Sequence, residues 1–132
     1  MALIQWDESF SVGNLALDNQ HKQLFDLVNQ LHDAMAKGQA KDVLDRTLAR
    51  LIDYTAGHFS AEERCMQQAK FPDLAAHRAQ HEELTKQVLG FQADFRAGKI
   101  ALSVHLMSFL RDWLQHHIQE SDRRYSPFLA GA

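Results

Sequence analysis

Apolar residues recur every three or four positions along four stretches of this chain, as they do on the buried face of an α-helix. Glycine and proline separate the stretches, which run over about 18–37, 41–71, 72–98 and 103–122. Asp18 and Ser103 are suitable N-caps for the first and fourth helices, and Gly38 suits the end of the first. The pattern therefore predicts an all-α protein with four consecutive helices.

Short connections favour one arrangement of these helices, because each helix then runs antiparallel to the one before it. We predict an up-down-up-down antiparallel four-helix bundle over 18–122. An extended N-terminal arm over 1–17 precedes it, and a C-terminal tail over 123–132 follows. The 132 residues suffice for one hydrophobic core and not for two, so 1–132 is predicted to be a single domain.

Each predicted helix carries histidine or carboxylate side chains that break its apolar stripe. The pairs His58/Glu62 and His77/His81 are each four residues apart, so both members of a pair share one helix face. In the predicted topology the candidate positions meet at one end of the bundle, which indicates a metal site. The candidate ligands are His21, His58, Glu62, His77, His81, His117 and Asp122.

The type and number of these ligands favour a pair of first-row transition ions. Seven ligands are too many for one structural zinc ion, which takes four and usually uses cysteine. Calcium and magnesium prefer oxygen ligands, whereas five imidazoles and two carboxylates suit iron. If both carboxylates and one further oxygen bridge the ions, a three-and-two division of the histidines leaves one coordination position open for a small ligand.

At these positions the chain resembles the hemerythrin family, and within it the single-domain bacterial hemerythrins. The resemblance covers nearly the whole chain. The matching segments are Trp6-Asp7-Glu8, Asp18-x-Gln20-His21, His58-x-x-x-Glu62, His77-x-x-x-His81 and His117-Ile118-x-x-x-Asp122.

The resemblance implies a centre of two non-haem iron ions, bridged by an oxo or hydroxo group and by Glu62 and Asp122. It implies a six-coordinate iron and a five-coordinate iron, the second of which binds dioxygen reversibly. The histidines implied for these two ions are His77, His81 and His117 for the first, and His21 and His58 for the second.

Regular helix geometry does not favour Asp122. On an ideal α-helix Asp122 lies about 140° round the axis from His117, whereas Glu120 lies nearer the same face. The resemblance nevertheless implies Asp122. This choice requires the helix to loosen or bulge near its end, and Pro127 further along is compatible with a frayed terminus.

Large side chains flank the histidines of the predicted open site at helical spacing. Similar positions line the oxygen pocket in the family, so we predict that these residues enclose a dry pocket. The same positions lie on the core stripe, and the alternative is that any one of them only fills the core. The residues are Leu24, Phe59, Trp113 and Leu114.

The resemblance implies a protein that is not an enzyme and that binds dioxygen for storage, transport or delivery to an oxygen-using enzyme. Two alternatives are a module that senses oxygen, redox state or nitric oxide, and a di-iron oxidase or peroxidase. Carboxylate-rich di-iron oxidases use paired Glu-x-x-His motifs, and this sequence contains none.

Composition and charge limit the partners and the compartment. The net charge is -3 and basic residues are scattered, so there is no footprint for nucleic acid. No apolar run reaches the roughly 20 residues of a membrane-spanning helix. The lone Cys65 and the absence of a signal-peptide pattern suggest a cytoplasmic protein, which we expect to be a monomer. The remaining histidines, His32, His105 and His116, are expected at the surface or at helix caps.

Overall fold

The computed structural model describes residues 3–98 and 104–129, which are helical apart from the N-terminal arm and the connecting turns. The elements are α1 (Leu15–Ala36), α2 (Lys41–Gln68), α3 (Leu74–Arg96), α4 (Val104–His116), a π-helix (His117–Asp122) and α5 (Arg123–Leu129). The beginnings of α1 and α3 lie beside the ends of α2 and α4. The predicted all-α antiparallel four-helix bundle is therefore confirmed.

The beginning of α1 differs from the prediction. Asn14, and not Asp18, is the N-cap, and its side chain accepts a hydrogen bond from the third helical residue. Asp18 lies inside the first turn, where its carboxylate accepts hydrogen bonds from Val12 N at 2.8 Å and from the Ser11 hydroxyl at 2.6 Å. Both residues are good caps by type, and the arm decides between them because it uses Asp18 as its acceptor.

The N-terminal arm is fixed to the bundle by backbone and aromatic contacts. Ile4 exchanges two hydrogen bonds with the Asn29 side chain, at 3.1 and 2.8 Å. Trp6 packs against the rings of Phe10 and Phe25. Between residue 3 and the start of α1, the one helical turn of the arm is the 3-10 turn at Glu8–Phe10.

The helix ends follow the turn residues of the sequence. Gly38 and Gly98 have positive φ angles of 65° and 75°, as residues just past a helix C-terminus often do. Lys70 adopts a similar angle of 58° after α2, although it is not a glycine. The predicted cap Ser103 lies outside the described residues. No helix in the described part of the chain is both long enough and apolar enough to cross a membrane.

The end of the fourth helix is wider than an α-helix. The backbone N–H of Arg123 donates to the carbonyl oxygen of Ile118, five residues earlier, which is the hydrogen bond of a π-helix. The loosening that the Asp122 assignment required is thus present. Pro127 does not end the helix, because α5 continues through it to Leu129, and the side chain of Tyr125 is fully buried.

Apolar packing occurs in two groups, with a polar layer between them. The larger group, called the main core, is formed by all four long helices, and Val28, Leu48, Val88 and Leu110 are among its members. The smaller group, called the end cluster, consists of Val12, Leu17, Met66, Phe71 and Tyr125. Along each helix the candidate ligands fall between or beside these groups, so the layer is closed off from solvent on both sides.

Candidate metal centre

All seven candidate ligands lie together in the polar layer, and each is at most 5% exposed. Their ligand atoms form two groups, within each of which all atoms lie no more than 4.8 Å apart. The larger group contains Glu62, His77, His81, His117 and Asp122, and the smaller group contains His21, His58 and Glu62. Helical spacing explains the two i,i+4 pairs, and the alternating direction of the helices brings them to a common level.

Glu62 belongs to both groups because its two oxygens face opposite ways. Oε2 lies 3.0 Å from His21 Nε2 and 3.1 Å from His58 Nε2. Oε1 lies 3.2 Å from His77 Nε2 and 3.0 Å from His81 Nε2. A carboxylate arranged in this way can bind one cation through each oxygen.

Asp122 also reaches across the two groups. Its Oδ1 lies 2.8 Å from His77 Nε2 and 3.0 Å from His117 Nε2, and its Oδ2 lies 3.2 Å from His21 Nε2. In a π-helix the backbone hydrogen bonds join residues that are five apart. The wider turn therefore brings Asp122, five residues after His117, to the same face of the helix. Glu120, which a regular helix would have favoured, is exposed.

Three of the five histidines hydrogen-bond through their outer nitrogen to an oxygen atom. Because an amide or carboxylate oxygen only accepts, Nδ1 of each ring must donate, and Nε2 is left with its lone pair directed into the layer. This is the tautomer that a metal ligand needs. The bonds join His58 to Gln20 at 2.6 Å, His117 to Gln80 at 2.9 Å and His81 to Glu63 at 2.9 Å.

The inner nitrogens of His81 and His117 face each other at 3.1 Å. Both rings carry their proton on the outer nitrogen, so two lone pairs would meet at this distance. Such an arrangement is favourable only when a cation lies between or beside the nitrogens. Among the described residues, the buried side-chain atoms without hydrogen-bond geometry to any partner are His21 Nδ1 and both oxygens of Asp122. The oxygens of Asp122 are close to imidazoles and yet not hydrogen-bonded, as expected for atoms that share a cation.

The two buried carboxylates of the polar layer also favour a nearby positive charge. Burial alone would raise the pKa of Glu62, but hydrogen bonds from the imidazoles of His21 and His77 hold the pKa well below its usual range. Burial opposes charge on His21 and His77 too, yet the carboxylates of Asp122 and Glu62 raise the pKa of each to about 9. Two buried carboxylates thus recruit protons onto two histidines, and metal ions can supply the same positive charge.

The remaining histidine with a resolved shift behaves differently. Burial lowers the pKa of His117, although Asp122 lies within 3.0 Å of its ring. His117 is therefore neutral near pH 7 and available as a ligand. The ligand set fits the two transition ions that its residue types predict, with one ion in each group.

Several residues at the centre are not predicted by helical spacing. Tyr125 donates a hydrogen bond of 2.9 Å to Glu62 Oε2, and burial raises its pKa. Gln80 and Glu63 contact histidines of neighbouring helices, so periodicity within one helix carries no signal for them. Gln20 lies directly before His21 but binds His58 instead. Each of these contacts depends on how two helices face each other.

The four predicted pocket residues lie in two places. Phe59 stacks on His81 with ring centres 3.7 Å apart, and Trp113 stacks on His117 at 4.2 Å. Leu24 and Leu114 are buried in the main core and line an apolar cavity of about 30 Å³. Two of the four therefore cover histidines of the larger group, and the other two border an apolar space.

The remaining histidines do not join the centre where the structure describes them. His116 is exposed, and its ring hydrogen-bonds to the Asp112 carbonyl oxygen at 2.8 Å. His32 is half-buried, and the side chain of His105 lies outside the described residues. Cys65 is half-buried and packs against the end cluster.

Comparison with known proteins gives matches over nearly the whole chain. Residues 13–129 match the family described as the hemerythrin HHE cation binding domain. Bacteriohemerythrin of Methylococcus capsulatus is 39% identical over 98% of this chain and 99% of its own length. Bacteriohemerythrin of Stenotrophomonas maltophilia is 33% identical over 96% of this chain and 81% of its own. The crystal structure of a wild-type hemerythrin is 38% identical, with a TM-score of 0.93 over 98% of this chain and 99% of that one.

Proposed function

The chain belongs to the hemerythrin family, and from this premise we propose that it binds dioxygen reversibly at a pair of non-haem iron ions. The observation that carries the proposal is the unequal number of ligands in the two groups. The larger group offers three imidazoles and two carboxylates, whereas the smaller offers two imidazoles and shares the carboxylates. An ion in the smaller group therefore keeps a position for an external ligand.

Each ligand has a role under this proposal. Glu62 and Asp122 would hold both ions, because each directs one oxygen towards the histidines of each group. An oxo or hydroxo group would complete the bridge. The histidines His77, His81 and His117 hold one ion, and His21 and His58 hold the other. A reduced iron pair supplies the two electrons that reversible dioxygen binding requires.

The surroundings suit a small apolar ligand. The cavity bordered by Leu24 and Leu114 is lined by aliphatic side chains apart from two threonines. A cavity of this size is large enough for a water molecule but offers too few polar partners to hold one. We infer that these walls keep water and protons away from bound dioxygen, with Phe59 and Trp113 packed over the neighbouring histidines.

We assign the protein to dioxygen storage, transport or delivery to an oxygen-consuming enzyme, and not to catalysis. The hydroxyl groups near the ligands and the cavity already have acceptors: Tyr125 donates to Glu62, and Thr55 and Thr85 donate to carbonyl oxygens of their own helices. We propose that the protein acts as a monomer in the cytoplasm, where a lone cysteine such as Cys65 stays reduced.

An optical experiment tests the proposed function. The iron-loaded protein is reduced without oxygen, exposed to air and then flushed with argon. A coloured adduct that appears in air and fades under argon is the expected result. Irreversible bleaching to a ferric spectrum would favour an oxidase or a sensor, and a protein that shows no iron-dependent band would contradict the proposal altogether.

A further inference from the structure

The three histidines with outer hydrogen bonds differ in the charge of their partner. His58 and His117 donate to the neutral amide oxygens of Gln20 and Gln80, whereas His81 donates to a carboxylate, Glu63. In the described structure, the metal position beside His81 is therefore the only one of the two with a histidine whose outer nitrogen is hydrogen-bonded to a carboxylate. Nothing in the ligand set itself requires this difference.

Glu63 is held in place for this contact. Its Oε2 accepts from His81 Nδ1 at 2.9 Å, and its Oε1 accepts from Arg78 Nε at 2.9 Å. The Glu63 side chain is 20% exposed and the Arg78 side chain 47% exposed. The carboxylate is thus largely shielded on the side of His81, while Arg78 fixes its orientation from the solvent side.

A carboxylate acceptor changes the metal through the ring. A charge-assisted hydrogen bond is roughly twice as strong as a neutral one, and it draws the Nδ1 proton away from the imidazole. The ring then becomes a more basic ligand at Nε2. A more basic ligand stabilises the higher oxidation state of the ion that it binds, and so lowers its reduction potential.

We propose that Glu63 is a positioning residue that lowers the reduction potential of the ion beside His81 and so makes the two metal positions electronically unequal. The proposal rests on the assignment of an iron pair above. Because dioxygen binding draws electrons from the reduced pair, an ion that is easier to oxidise binds dioxygen more tightly. Glu63 thereby sets oxygen affinity without touching oxygen or metal.

The first test compares two variants that each remove one negative charge near His81. Glu63→Gln keeps the shape and weakens the hydrogen bond. Glu82→Gln is the matched control, since Glu82 is exposed and adjoins His81 in sequence. We expect Glu63→Gln to make oxidation of the pair about tenfold less favourable, within the range for loss of an outer partner. For one electron this is an upward shift of about 59 mV in midpoint potential.

A second variant makes the opposite change at another histidine, by adding a carboxylate instead of removing one. Gln80→Glu gives His117 an anionic partner in place of an amide, so we expect it to lower the midpoint potential. Circular dichroism checks that each variant is folded, and oxygen titration should give weaker binding for Glu63→Gln and tighter binding for Gln80→Glu. Opposite shifts from the two variants cannot come from loosened packing, which would act in one direction.

A readout without iron chemistry separates this inference from the proposed function. In the zinc-loaded protein, the Nδ1–H proton of His81 should resonate far downfield and move upfield in Glu63→Gln, but not in Glu82→Gln. Equal potentials and unchanged proton shifts in both variants would overturn the role of Glu63. An iron-loaded protein that forms no reversible dioxygen adduct would instead contradict the proposed function, while the potentials and zinc spectra would still decide the role of Glu63.

Discussion

Val28 and His21 lie on the same face of α1, about two turns apart, and neither is more than 1% exposed. Val28 packs in the main core among aliphatic side chains, where burial itself is favourable. His21 lies in the polar layer between two carboxylates, where burial is costly unless charge is balanced. The same degree of burial thus stabilises the fold at Val28 and costs free energy at His21 unless its charge is balanced. The main core stabilises the fold, and the polar layer is stabilised by the cations that it binds.

The largest expected effect is the loss of metal from the polar layer. Asp122→Asn removes a charge that faces three histidines, so we expect iron binding to weaken by more than about 100-fold, beyond the range for outer partners. Glu120→Gln, two residues away and exposed, should leave two irons per chain. Iron content and binding titration measure both. Equal iron loss in the two variants would contradict the assignment of Asp122.

The complementary change is made in the main core. Leu31 is fully buried and lies ten residues, about 15 Å, along α1 from His21. Leu31→Ala should lower the free energy of unfolding by about 2–5 kcal/mol through lost packing and a cavity. Urea denaturation of the metal-free protein measures this change. The folded variant should still bind two irons, and reduced iron content would show that the two regions are not separable.

Tyr125 connects the polar layer to the end cluster, because its ring packs in that cluster and its hydroxyl donates to Glu62. Tyr125→Phe keeps the ring and removes the hydrogen bond to a charged group, so we expect a loss of about 1.5 kcal/mol in the metal-free protein. Tyr54→Phe is the control, since Tyr54 is half-buried against the main core and lies about two turns before Glu62 on α2. Denaturation curves that coincide for the two variants would show that this hydrogen bond contributes nothing measurable.

The smallest expected effect concerns the border between the main core and the metal site. Leu114→Ala enlarges the apolar cavity, and water should then reach bound dioxygen more easily. We expect autoxidation to become several-fold faster, as followed by the decay of the oxygenated spectrum. Leu31→Ala removes the same side-chain volume away from that cavity and should leave the rate unchanged. An unaltered rate in Leu114→Ala would mean that this residue only fills the core.

Much of this architecture could be predicted from the chain because the signals lie within single helices. The apolar period indicates the four helices, and the two i,i+4 pairs identify His58/Glu62 and His77/His81. Short loops then determine which helix ends meet. The predicted order and direction of the helices, which depend only on period and loop length, are therefore confirmed.

Other features could not be predicted, because they depend on contacts between elements. Asn14 and not Asp18 caps α1, because the Asp18 carboxylate accepts the hydrogen bond from Val12 N in the arm. Glu63 and Gln80 face histidines across a helix interface, and no pattern along one helix reports this. Period alone favours Glu120, and only the family resemblance selected Asp122.

The π-helix has a further consequence for how such chains are found. Two of the candidate ligand pairs have the four-residue spacing of a regular helix, whereas the residues of the third pair, His117 and Asp122, are five apart. The last pair therefore contains one residue more than a constant four-residue spacing would allow, and all later residues are shifted by one position relative to a regular helix. A genome search that requires equal spacing for all three pairs would reject this sequence, and a search that allows one inserted residue after the last histidine would retain it.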